Sequence, residues 1–138
     1  VDLSNNIVTP MSFKIIQRFL VKNQLCRGFN LSGNEISEFE VVNWTKICLT
    51  TNNKLISLDL SDTVFIDNLK PLIQILKNNT QITEFNARRC YLEEEKLTAL
   101  SDIFKIDTLN NIARIDFSEN RISDTKHAIS FLRNLCFA

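Results

Sequence analysis

Histidine, tryptophan and tyrosine each occur once in this 138-residue chain, and glycine and proline twice each. Two isolated glycines, Gly28 and Gly33, cannot build a phosphate-cradling loop or a dinucleotide-binding turn. One histidine, His127, excludes a multi-histidine metal cluster and the H-E-x-x-H zinc motif. His127 and Cys136 are nine residues apart on one expected helix, too far for a working dyad. The low glycine and proline content argues against disorder and against a sandwich built on tight turns. Charge of either sign is not in excess. Sixteen basic residues balance sixteen acidic ones, so nothing suggests general affinity for nucleic acid or an anionic membrane. No run approaches the roughly 20 apolar residues of a membrane span. The four cysteines (Cys26, Cys48, Cys90 and Cys136) form no C-x-x-C pair. They read as reduced, buried thiols in a reducing, cytoplasmic compartment. No signal peptide opens the chain, which begins at Val1 without a methionine, so a processed or truncated product is expected.

What is present is internal similarity. Cys26–Ile36, Leu55–Phe65, Ile82–Leu92 and Ile112–Ile122 all fit apolar-x-x-apolar-x-apolar-x-x-(Asn/Thr/Cys)-x-apolar. A fifth copy, lacking its start, opens the chain at Val1–Val8. The equivalent residues Val1, Phe29, Leu58, Phe85 and Ile115 are 28, 29, 27 and 30 residues apart. The central apolar-x-apolar predicts a short strand with one buried face. Asn34, Thr63, Cys90 and Asn120 stand where the chain leaves the strand and backbone groups lose their ladder partners. Their side chains are suited to satisfy those groups, which gives Cys90 a structural rather than a reactive role. Between strands the period becomes helical. Leu69, Leu72, Ile73 and Leu76 fall at i, i+3, i+4 and i+7, with Asp67 as a cap and Pro71 in the first turn. Similar stripes are Phe13, Ile16 and Leu20; Leu97, Leu100 and Phe104; and Ile129, Leu132 and Leu135. A less regular helix is expected within 38–51. Glu93, Glu94 and Glu95 suit a helix start through the helix dipole and need no acid–base role.

These patterns resemble the ribonuclease-inhibitor type of leucine-rich repeat. The joint Leu76-Lys77-Asn78-Asn79-Thr80-Gln81-Ile82-Thr83-Glu84-Phe85 resembles the helix-to-strand joint of ribonuclease inhibitor, tropomodulin and NOD-like receptors. The resemblance implies an α/β leucine-rich-repeat solenoid of about five repeats of 27–30 residues. Its curved parallel sheet would line a concave side and its helices a convex side. One domain, 1–138, is expected, as a fragment of a longer solenoid. The bias toward Asn, Ile, Lys, Leu and Phe resembles leucine-rich-repeat effectors of intracellular bacteria such as Legionella. A bacterial virulence effector secreted into a host cell is one expectation from it.

No catalytic constellation is visible, so the chain is expected not to be an enzyme and to hold no cofactor or metal. A protein–protein interaction module is expected, binding a protein partner on the concave face through Asn30, Ser57, Asp59, Asp62, Glu84, Asn86, Arg88, Arg89, Arg114, Asp116 and Glu119. Arg88 and Arg89 form a basic spot among Asp59, Asp62, Asp116 and Glu119. Either these charges meet a complementary partner, or they pair with one another and leave an ordinary solvated face. Pairing of two copies through exposed ends is also open. A rival is a regulatory activator or the substrate-selecting domain of a larger enzyme, like a GTPase activator or a ligase. Arg89 or Arg121 would be the donated arginine. Trp44 is open between a residue packed between repeats and an outer anchor, and Tyr91 between a packed loop aromatic and an extension of the basic spot. The glycosylation-like triplets at Asn30, Asn43 and Asn78 read as incidental.

Overall fold

In the computed structural model, residues 1–36, 54–64, 69–78, 80–101, 103 and 111–121 are described. They form three helices, α1 (Pro10–Lys22), α2 (Lys70–Asn78) and α3 (Glu94–Ser101). Four strands accompany them: β1 (Gly28–Asn30), β2 (Ser57–Asp59), β3 (Glu84–Asn86) and β4 (Arg114–Asp116). The strands make one parallel sheet in sequence order, with Phe29, Leu58, Phe85 and Ile115 in register. Parallel neighbours need a crossover, which sets the spacing of one strand to the next. Expectations for the helix within 38–51, for Trp44, Cys48, Asp67, Phe104, His127 and Cys136, and for the last helical stripe lie outside the described residues.

The expected leucine-rich-repeat solenoid of about five repeats is corrected. The described residues form a small α/β fold on a four-stranded sheet, and no five-repeat stack is present among them. The opening copy at Val1–Val8 lies beside β1 as an isolated parallel bridge, Asp2 to Asn30, held by Val1 N to Gly28 O, Asn30 N to Val1 O and Leu3 N to Asn30 O.

Each strand is three residues long for a local reason. The third residue of each strand accepts a hydrogen bond from the backbone N–H two residues on: Asn30 from Ser32 (2.9 Å), Asp59 from Ser61 (2.8 Å), Asn86 from Arg88 (3.0 Å) and Asp116 from Ser118 (2.8 Å). Asp2 does the same for Ser4 at 2.9 Å. This side-chain turn bends the chain out of strand geometry, although bonding to the next unit goes on. The next residue in each turn is left-handed: Asn5, Gly33, Asp62, Arg89 and Glu119 have φ of 54°, 67°, 56°, 52° and 57°. The turns bond to one another as the strands do. Gly33 N–H donates to Ser61 O, Asp62 to Arg88 O and Arg89 to Ser118 O.

The predicted turn residues take the predicted bonds. Asn34 Nδ2 donates to Leu3 O and Leu31 O, both at 2.9 Å, and Cys90 Sγ to Leu60 O at 3.1 Å. Asn120 does most. Its Nδ2 donates to Ala87 O and Phe117 O, and its Oδ1 accepts from Cys90 N and Leu92 N, at 2.8–3.1 Å.

The core lies between the sheet and the helices. Phe29, Leu58 and Phe85 supply it from the strands, and Leu20, Leu72, Leu76 and Leu100 from the helices. In α1, Thr9 caps the N-terminus by accepting from Ser12 N at 3.2 Å. Val8 and Phe13, both buried, occupy the positions of a hydrophobic staple.

Gly33 is the one turn position where a side chain has no room. A Cβ there would lie 2.3 Å from Asn5 Oδ1, at a positive φ. Asn5 is exposed and its side chain can move aside, so the backbone term dominates. Gly33→Ala is expected to cost about 1–2 kcal/mol, read as a lower urea midpoint at unchanged m-value.

Candidate functional site

Strand alternation sends Leu58 and Phe85 inward and leaves their neighbours on the open face of the sheet. Ser57, Asp59, Glu84, Asn86, Arg114 and Asp116 line a shallow groove there, of about 640 Å³. Asn86 Nδ2 donates to Asp59 Oδ2 at 3.1 Å, which ties β3 to β2 side by side. Arg114 pairs with Glu84 across the β3–β4 step. Asn30 belongs to the same row through its register with Asp59. These carboxylates and amides were read from the sequence only as recognition groups. They also build the turns described above. The signal was present, since Asn or Asp stands two residues before a serine in four of the five copies.

At the end of the groove the turns carry a charged network. Arg89 Nε donates to Asp62 Oδ1 at 2.6 Å and its Nη2 to Asp62 Oδ2 at 2.9 Å, a two-point pair. Arg89 also lies 3.6 Å from Glu119, which pairs with Arg88. The basic spot is therefore paired with its own neighbours. The hydrogen bonds from Arg89 hold the Asp62 carboxyl below the usual carboxylate range and raise the arginine's own pKa. Asp116 is likewise lowered by the side-chain and backbone hydrogen bonds of Ser118. Arg88, Arg89, Asp62 and Glu119 keep 40–50% of their side-chain surface exposed. Such pairs contribute only ~0–1 kcal/mol each, so they orient the charges without locking them against a competing partner.

Arg121 and Tyr91 extend this end. The Arg121 guanidinium stands 5.2 Å from the Tyr91 ring centroid, and Tyr91 is exposed with a φ of 52°. Of the two readings of Tyr91, the structure favours the one that extends the charged spot. The Glu93, Glu94 and Glu95 run lies beside Arg121, and Glu94 and Glu95 stand in the first turn of α3.

Among the described residues no three His, Cys, Asp or Glu side chains come together as metal ligands. No described helix is long and apolar enough to cross a membrane. Cys90 is fully buried, and desolvation pushes its thiol up to about 12 from an ordinary 9.0. The sign follows from proton binding. Between those values the unfolded thiol ionises and the folded one does not, so stability falls as pH rises. A drop of about 1.4 kcal/mol per pH unit is expected across that interval. The difference in urea stability between wild type and Cys90→Ala, followed from pH 8 upward, isolates this contribution from other titrating groups. In the folded protein at pH 8, Cys90 should resist alkylation.

No family model matches the chain, and no curated protein matches it. Solved structures do. One described as Leiomodin-1 Actin-Binding Site 2 superposes with a TM-score of 0.76 at 13% identity, over 99% of this chain and 78% of that one. The tropomodulin C-terminal domain of Caenorhabditis elegans superposes with a TM-score of 0.70 at 15% identity, over 98% and 80%. These likenesses correct the family resemblance drawn from the sequence. The structural neighbours are leiomodin and tropomodulin domains, and nothing among them supports a ribonuclease-inhibitor-type leucine-rich-repeat protein, a bacterial or virulence effector, or an enzyme activator. The joint at Leu76–Phe85 is a local signal and the Asn, Ile and Lys bias a compositional one, so neither separates these classes. What the likenesses establish is the fold: a small α/β domain of the kind seen in leiomodin and tropomodulin C-terminal domains.

Proposed function

We propose that this chain is a non-catalytic protein-binding domain and that its partner is actin. The observation carrying the reading is the superposition of 99% of the chain on a fragment described as an actin-binding site of Leiomodin-1. The open sheet face and its charged turns are the proposed contact surface. Their carboxylates and guanidinium groups are fixed by turn bonds and ion pairs, so a partner meets them already oriented. The buried, protonated Cys90 thiol accords with a reducing, cytoplasmic setting.

The test is direct binding of the purified chain to actin, by pelleting with filaments and by fluorescence anisotropy with monomers. Saturable binding to either form is expected. Arg88→Glu/Arg89→Glu, or Asp59→Lys/Asp116→Lys, should weaken it at least about tenfold, because each reverses charge at the proposed contact. Absence of binding to both forms overturns the reading. Binding retained in full by both variants moves the contact off the sheet face.

A further inference from the structure

The outer side of α1 combines two rows that nothing described so far uses. Phe13, Ile16 and Leu20 face the core. Met11, Ile15 and Phe19, at i, i+4 and i+8, do not: they are 69%, 65% and 40% exposed. Lys14, Arg18 and Lys22 repeat the same spacing alongside, each three residues after its apolar neighbour, and all three are exposed. No acidic residue occurs in α1, and none of the ion pairs among the described residues involves these bases. Three unpaired positive charges are thus gathered on one short helix of a chain whose formal net charge is zero.

We infer that this face docks an acidic amphipathic helix of a partner protein. The apolar row is a ridge of i±4 spacing, the feature that seats in the groove of a second helix. Its length, about 20 Å for 13 residues, matches some four turns of that partner. Carboxylates flanking the partner's own apolar row would then meet Lys14, Arg18 and Lys22. Charge complementarity selects the acidic partner. A helix lying in a membrane buries a broad apolar face. The larger apolar face of α1, Phe13, Ile16 and Leu20, is already turned into the core, which leaves a narrow ridge better matched to one helix than to a lipid surface. This inference does not rest on actin binding, and either can fail alone.

The probe is a designed helical peptide of about 20 residues with leucines at i, i+4 and i+8, each flanked by glutamate. Binding is read by anisotropy against wild type, Ile15→Asp and Lys14→Glu/Arg18→Glu/Lys22→Glu, with far-UV circular dichroism confirming that these surface variants fold. Wild type is expected to bind, each variant to lose at least tenfold, and added salt to weaken the complex. A version of the peptide with lysine in place of glutamate should bind at least tenfold more weakly. No binding to the glutamate peptide, or equal binding of both peptides or by Ile15→Asp, overturns the inference. So does capture by phosphatidylserine vesicles without peptide binding, or concentration-dependent self-association that Ile15→Asp abolishes.

Discussion

Asn120→Ala should destabilise the fold by about 2–4 kcal/mol, although the residue is only half-buried and carries no charge. Its amide closes the turn of its own unit and ties it to the backbone of the previous one. Truncation removes two donors, to Ala87 O and Phe117 O, and the acceptor shared by Cys90 N and Leu92 N. Four backbone groups, drawn from segments about 30 residues apart, lose their partner together. Each bond is worth only about 1 kcal/mol net, but a buried group left unpaired costs more than the bond was worth. A drop in Tm of roughly 10 °C is expected by calorimetry. Asn120→Thr should recover part of the loss, because Thr63 holds the equivalent position with one bond, from its Oγ1 to Ser61 O. A variant as stable as wild type would mean that water replaces the amide without cost.

Phe85→Ala is expected to cost about 3–5 kcal/mol. Phe85 is 2% exposed in the middle of the sheet and meets Phe117 edge-on, with ring centroids 6.0 Å apart at 74°. Both neighbouring strands pack beside it, so the cavity cannot close by movement at an edge. Against a typical total of about 5–15 kcal/mol, this one change removes a large share of the stability. Urea denaturation at constant m-value measures it. Phe85→Leu, which keeps most of the apolar volume, should lose less than half as much.

The two sites illustrate what sequence could and could not supply. The inward positions were legible because burial and period are locally coupled. Alternation marked Phe29, Leu58 and Phe85, and i, i+3, i+4, i+7 spacing marked Leu69, Leu72, Ile73 and Leu76, all of them buried. The turn asparagines were legible from the need to satisfy backbone groups where a strand ends. Strand number was not. Val1–Val8 carries the pattern and bonds to β1, yet it stands as a bridge beside the four-stranded sheet. The site was legible as a cluster with two readings, a basic spot open to a partner or charges paired with one another. The expectation singled out Arg88 and Arg89 as a basic spot. Asp62 lies 27 residues before Arg89, and Glu119 lies 31 after Arg88, so the near-regular spacing sets each beside its arginine. The sequence named these acidic neighbours but not which of them each arginine meets; the register of the units decides that. The left-handed turn had a signal at Asn5, Gly33 and Asp62, residue types that tolerate it, and none at Arg89 and Glu119.

The ion pair between Asp62 and Arg89 offers a way to separate structure from recognition. Exchanging the two residues, Asp62→Arg/Arg89→Asp, keeps a pair of opposite charges on two turns of matching left-handed backbone. Stability should change by less than about 1 kcal/mol. The polarity presented to a partner is reversed. The decisive measurement is the actin-binding isotherm of this folded double variant beside wild type. Wild-type binding that the exchange weakens tenfold or more is the expected result; an unchanged isotherm, or no binding by wild type, contradicts the assignment of the charged turns as an actin-binding surface.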